Sequence, residues 1–140
     1  MRKFTLIVLC AGALVASAVP AASASNAPVR PTFDKTATGP GVWHGTVAGD
    51  IAGGLTTDLL ALDTTGPIWH VTFDWIIDAG PSSFIARLSG VLNTSTGGVV
   101  MDGTVVSGYL LGAQVHEKGQ IVNPATLEFV GSIRLMPATA

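Results

Sequence analysis

Apolar and polar residues alternate along most of the chain with a period of two. The clearest stretch is Ile68 to Asp78. Trp69, Val71, Phe73, Trp75 and Ile77 share one face, and His70, Thr72, Asp74 and Asp78 fall on the other with Ile68 and Ile76. Successive strand side chains point to opposite faces, so this pattern predicts a half-buried β-strand. Thr126 to Met136 repeats it, with Leu127, Phe129, Gly131, Ile133 and Leu135 opposed to Glu128, Ser132 and Arg134. Phe84 to Asn93 sets Phe84, Ala86, Leu88 and Leu92 against Arg87, Ser89 and Asn93. Weaker alternation predicts strands at Val42 to Ala48, Leu55 to Asp63, Val99 to Ser107 and Tyr109 to Lys118. No long stretch keeps a 3.6-residue apolar period, and glycine recurs too often for helices.

Turn residues separate these segments. Asp63-Thr64-Thr65-Gly66-Pro67, Ala79-Gly80-Pro81-Ser82 and Asn93 to Gly98 supply positive φ, preset φ or local side-chain caps. Lys118-Gly119 and Asn123-Pro124 punctuate the last pair of strands. Seven or eight short-connected strands at roughly ten-residue spacing predict an all-β fold. A single antiparallel β-barrel is the favoured form, because closure removes exposed strand edges. Glycines inside the strands suit the tight bends of a small barrel.

The N-terminus reads differently. Arg2 and Lys3 precede an almost wholly apolar run from Phe4 to Val19, and Ala22-Ser23-Ala24 fits the small-x-small site of a signal peptidase. A spanning helix needs about 20 apolar residues, more than this run supplies. The expectation is a signal peptide at 1–24, cut after Ala24 with Ala18 as the alternative. An extended leader then covers 25–41, marked by Pro28, Pro31 and Pro40, and the barrel domain covers 42–140. The product is expected outside the cytoplasm, secreted or periplasmic, and the short signal with its alanine-rich end suggests a bacterium.

Composition narrows the chemistry. Cys10 lies in the apolar run, so the mature chain has no disulfide, thiol catalyst or cysteine metal ligand. Five basic side chains face nine acidic ones in the mature part, a net charge of −4. No basic stripe exists, which argues against nucleic acid or an anionic membrane as partner. No nucleophile elbow or phosphate-binding glycine loop is present. Nothing in the sequence brings a particular pair of aspartates together as glycosidases require.

The run Phe84-Ile85-Ala86-Arg87-Leu88-Ser89-Gly90 is followed by Thr96-Gly97-Gly98, then Gly103 to Ala113, then Phe129-Val130-Gly131-Ser132-Ile133. Together they resemble the allene oxide cyclase and dirigent type of barrel over the last two-thirds of the domain. The points of likeness are a phenylalanine–glycine strand, a glycine-rich turn and a Gly-aromatic-x-x-Gly-Ala step. The Gly-Gly-Thr-Gly signature of those families is missing before Tyr109, where Val105-Val106-Ser107-Gly108 stands, so no catalytic residue carries over. The resemblance implies an eight-stranded antiparallel barrel with an interior cavity, often assembled as a homo-oligomer.

His70, Thr72 and Asp74 form the most interesting polar set. His70 and Asp74 lie about 13 Å apart along an extended strand, too far for a direct hydrogen bond. Either would act with a neighbouring-strand group such as Arg87, Tyr109 or His116. If their face lined a cavity, His70 would serve as general acid or base. The simpler reading sends that face to solvent, since the aromatic face is the more natural filling of a barrel. Trp69, Phe73, Trp75 and Tyr109 would then fill the core or line a pocket for an apolar ligand. His44, His70 and His116 lack the spacing of a metal site, and they would have to converge with Asp74 or Glu117 to make one. No metal and no cofactor is expected. The leading expectation is an exported binding module for a small apolar molecule or a protein partner. The alternative is a cofactor-free isomerase or cyclase.

Overall fold

A computed structural model describes residues 27–138, and the expected signal peptide with both cleavage positions lies outside them. Eight antiparallel strands form a closed barrel: β1 (Thr32–Gly39), β2 (Val42–Ala48), β3 (Gly53–Asp63), β4 (Ile68–Asp78), β5 (Phe84–Asn93), β6 (Gly98–Gly108), β7 (Gln114–Asn123) and β8 (Glu128–Met136). Each strand pairs with its sequence neighbours. β8 closes the ring on β1 through Phe129 opposite Lys35 and Gly131 opposite Phe33. A 3-10 turn at Gly80–Ser82 joins β4 to β5. No helix of the described residues is long and apolar enough to cross a membrane.

The alternation read from β4 is the alternation of the wall. Val71, Phe73, Trp75 and Ile77 point into the barrel and are buried, as are Phe84, Ala86 and Leu88 of β5. β2, β4 and β5 span the residues the pattern predicts.

Two expectations need correction. The barrel begins at Thr32 rather than Val42, so the stretch taken for a leader contains β1. Prolines 28, 31 and 40 lie outside that strand, where no ladder donor is required, and Phe33 and Lys35 inside it are buried. The second correction is at β7, which runs Gln114–Asn123. Tyr109 to Ala113 forms the preceding turn, closed by Ala113 N–H donating to the Leu110 carbonyl at 2.9 Å. Lys118-Gly119 lies inside the strand, and the reversal comes at Asn123, whose side chain accepts the Ala125 N–H at 3.1 Å.

Bulges explain the exposed aliphatic residues on the wall. The register shifts at Leu60, at Val106 and at Val122, where one extra residue sits in the ladder. An extra residue is unpaired and turns its side chain off the regular face. Those three residues are about half exposed. Past the Leu60 bulge, Leu62 pairs with Val71 and returns to the inner face.

The two ends of the barrel are finished differently. At one end Ile51, carried by the β2–β3 loop, and Ala113, from the β6–β7 turn, are buried over Leu55, Ile77, Val105 and Leu135. The opposite end is ringed by the turns at 64–67, 94–97 and 124–127, and there the interior is not filled.

Candidate functional site

The inner face of the barrel carries three buried polar side chains, Lys35, Thr57 and Glu117, among apolar neighbours. They come from β1, β3 and β7. Lys35 pairs across the ladder with Gly45 of β2. Gly45 has no side chain, and a Cβ there would run into the Asp34 carbonyl oxygen of the adjoining strand. The lysine therefore reaches past β2 to β3, where its Nζ donates to Thr57 Oγ1 at 3.1 Å. Glu117 approaches from the other side. Gly119 makes room for it, since a Cβ at that position would lie 2.6 Å from Glu117 Oε2 and 3.0 Å from the Phe33 ring.

Aromatic rings enclose the ammonium. Nζ of Lys35 lies 4.3 Å from the centre of a Trp75 ring, 4.9 Å from Phe73, 5.5 Å from Phe129 and 5.6 Å from Trp43. Trp43 stands edge-on to Phe73 and Phe129, and its indole N–H donates to the Leu127 carbonyl at 3.1 Å. Leu127 is held at φ 54°, a conformation that costs a leucine backbone strain, and its side chain lies at the mouth of the site.

A cavity of about 130 Å³ opens above Lys35 and Glu117. Its walls are otherwise apolar: Trp43, Trp69, Val71, Phe73, Met101 and Phe129 among others, with Leu62 and Leu127 half-exposed at the rim. Among the described residues, Lys35 and Glu117 are the only titratable side chains in the lining.

Burial sets the protonation of both. Removing an ion from water costs several kcal/mol even after relaxation, whereas a desolvated cation–π contact returns about 2 kcal/mol. Desolvation therefore dominates. It pushes Lys35 down to about 7, against the attraction of Glu117. It pushes Glu117 up to about 8, against Lys35 and with help from Asp102. Near neutral pH the glutamate is an acid with a proton to give, and a large share of the lysine is free amine.

Two buried polar atoms in this region have no protein partner: Glu117 Oε1 and Trp75 Nε1. A buried group left unpaired costs about 1–3 kcal/mol. Lys35 makes one side-chain hydrogen bond, to Thr57, so hydrogen-bonding capacity is left over on Lys35, Glu117 and Trp75 in this buried layer.

The residues singled out from the sequence divide cleanly. Trp69 and Phe73 line the cavity, and Trp75 lies beneath it against Lys35. Tyr109 is in the turn at the opposite end and does not reach it. His70, Asp74, Arg87 and His116 all lie on the outer wall. Asp74 accepts two hydrogen bonds from Arg87, at 2.8 and 3.0 Å. His116 Nδ1 lies 2.6 Å from Asp102 Oδ1, and Thr72 bonds Ser89 at 2.9 Å. The four candidates for acid–base chemistry thus stand outside the cavity, because their face of each strand is the solvent face. Among the described residues no three His, Cys, Asp or Glu side chains converge as a metal site.

Lys35 and Thr57 are the site residues that the sequence pattern does not disclose, and Glu117 is read there only as a conditional metal ligand. In both β1 and β7 charged residues occupy both faces (Asp34 beside Lys35, His116 beside Glu117), so alternation does not say which one points inward.

No family model, no curated protein and no solved structure matches the chain.

Proposed function

We propose that this chain is an exported binding module whose barrel holds one small, largely apolar molecule, with that molecule's polar group resting on Lys35 and Glu117. One observation carries the reading: an apolar cavity whose lining includes a buried lysine and a buried glutamate, one of whose carboxyl oxygens has no partner. Ligand sites are typically apolar concavities with a few placed polar groups. An engineered apolar cavity of about 150 Å³ takes benzene, so the ligand is of that order, six to ten non-hydrogen atoms. Export is supported by Arg2-Lys3, the apolar run and Ala22-Ser23-Ala24. The likeness of Phe84–Gly90, Gly103–Ala113 and Phe129–Ile133 to the allene oxide cyclase and dirigent type of barrel supports a cavity-bearing barrel.

The test is titration of the purified chain with benzyl alcohol, phenol and hexanol, followed by tryptophan emission. Trp43 and Trp69 line the cavity, so a saturable shift is expected, and Leu92→Trp, which fills the cavity, should abolish it. A panel of such compounds giving no saturable change would refute the reading. The cofactor-free isomerase or cyclase alternative draws on the same two groups, Glu117 as proton donor and Lys35 as base, and differs by turning its ligand over.

A further inference from the structure

We propose that Lys35 captures small apolar aldehydes covalently and reversibly, its Nζ condensing with the carbonyl carbon to form an imine at the cavity floor. The inference rests on the binding reading above and names the chemical class of the ligand.

Imine formation makes three demands. It needs an amine with its lone pair free, space for the carbonyl carbon beside it, and a proton donor for the departing oxygen. Desolvation supplies the first, as it does for lysines that act as nucleophiles elsewhere. Lys35 is buried with a single hydrogen bond, to Thr57, and its side chain is part of the cavity lining. The cavity supplies the second, and apart from Lys35 and Glu117 its walls are apolar. Glu117 supplies the third: a buried carboxyl in the same lining, with Oε1 free of any protein partner.

The atoms balance without a further reactant. The Nζ lone pair attacks the carbonyl carbon, and the C=O π pair moves to oxygen, which gains the proton that nitrogen sheds. This gives a carbinolamine. Glu117 then donates its proton to the carbinolamine hydroxyl, the C–O bond breaks and water leaves. The nitrogen lone pair closes the C=N bond, and the remaining N–H proton returns to the Glu117 carboxylate. Amine plus aldehyde become imine plus water, with nothing oxidised or reduced.

The chain carries its own control. Its other lysines are Lys3 and Lys118, and Lys118 is exposed on β7 one residue from Glu117, pointing away from the cavity. The experiment incubates the purified chain with benzaldehyde at pH 7 and traps imines with sodium cyanoborohydride. Intact-mass spectrometry and peptide mapping then locate the adduct. Labelling of Lys35 at least tenfold faster than Lys118 or the amino terminus is expected. Benzyl alcohol should protect Lys35, Leu92→Trp should block its labelling, and Glu117→Gln should slow it at least fivefold. Lys35→Arg keeps a cation but has no amine for condensation, and should lose the adduct while retaining the far-ultraviolet circular dichroism of the barrel. Labelling confined to the other amines, with benzyl alcohol still bound, would overturn the imine and leave the binding reading standing. Absence of both the adduct and benzyl alcohol binding would overturn the two together.

Discussion

The two halves of the barrel are built from the same eight strands, yet one is solid and the other hollow. Each strand contributes inward side chains to both halves, so composition of the wall does not separate them. The connections do. At the closed end the loops send Ile51 and Ala113 into the interior, and Pro31 is buried there as well. At the open end the connections are short turns at 64–67, 94–97 and 124–127, and the polar residue that opens each, Asp63, Asn93 and Asn123, bonds its own turn's backbone. Asp63 accepts the Thr65 N–H, and Asn93 accepts those of Ser95 and Thr96. A barrel wall makes a tube, and the loops decide which end becomes a floor.

The largest test of this contrast is truncation of an aliphatic side chain at each end. Leu135 is fully buried in the closed half. Leu135→Ala removes its transfer free energy and leaves a hole that packed neighbours fill only in part, a loss of about 2–5 kcal/mol. Leu62 is half-exposed at the cavity rim, so Leu62→Ala should cost less than about 1 kcal/mol, in line with substitutions away from the core. Urea midpoints at fixed slope measure both. Equal losses at the two positions would break the distinction between floor and mouth.

Next in size is the pH dependence of the polar layer between the halves. Glu117 has an ordinary value of 4.5 and is raised to about 8 in the fold. Between those values the folded chain holds a proton that the unfolded chain has lost, so stability falls as pH rises. Lys35 moves the opposite way, from 10.5 to about 7. Above 7 the unfolded chain holds the extra proton, so stability rises with pH up to 10.5. The two limbs meet at pH 7–8, where stability should pass through a minimum, with slopes of about 1 kcal/mol per pH unit on either side. Glu117→Gln should remove the descending limb between pH 4.5 and 7 and keep the ascending one. A wild-type profile that is flat or peaked near neutrality would show that the pair is ionised inside the barrel.

The same layer is where the sequence is hardest to read. β4 and β5 are legible to the residue, because one face of each is wholly apolar and every charged side chain falls on the other. β1 and β7 are the two strands whose inner face carries a titratable side chain, and they are the two that pattern misplaces: Pro28, Pro31 and Pro40 among small and polar residues make β1 resemble a leader, and Lys118-Gly119 makes the middle of β7 resemble a turn. A charged residue on an inner face erases the period-two signal that would reveal the strand. The site is hidden by the features that make it a site. What decides that Lys35 and not Asp34 points inward is the closure of β8 on β1, a pairing between segments about 95 residues apart. The His70–Asp74 face, by contrast, is legible as a strand face, and only closure of the sheet shows which side of the wall it takes.

The smallest effect belongs to the outer counterpart of the buried pair. Arg87 and Asp74 meet in a two-bond fork at 2.8 and 3.0 Å, a better geometry than Lys35 and Glu117 achieve, yet the Arg87 side chain is 56% exposed. Water screens such a pair and already solvates each partner, so a surface ion pair contributes little despite ideal distances. Arg87→Ala should leave the urea midpoint within measurement error and leave benzyl alcohol binding unchanged. Inside the wall the ranking reverses. Removing either charge there alters the pH profile and the cavity floor together, because neither Lys35 nor Glu117 has water to fall back on. A strong effect of Arg87→Ala on ligand binding would mean that the outer wall, and not the cavity, carries the function, and the comparison between the two layers would then run the other way.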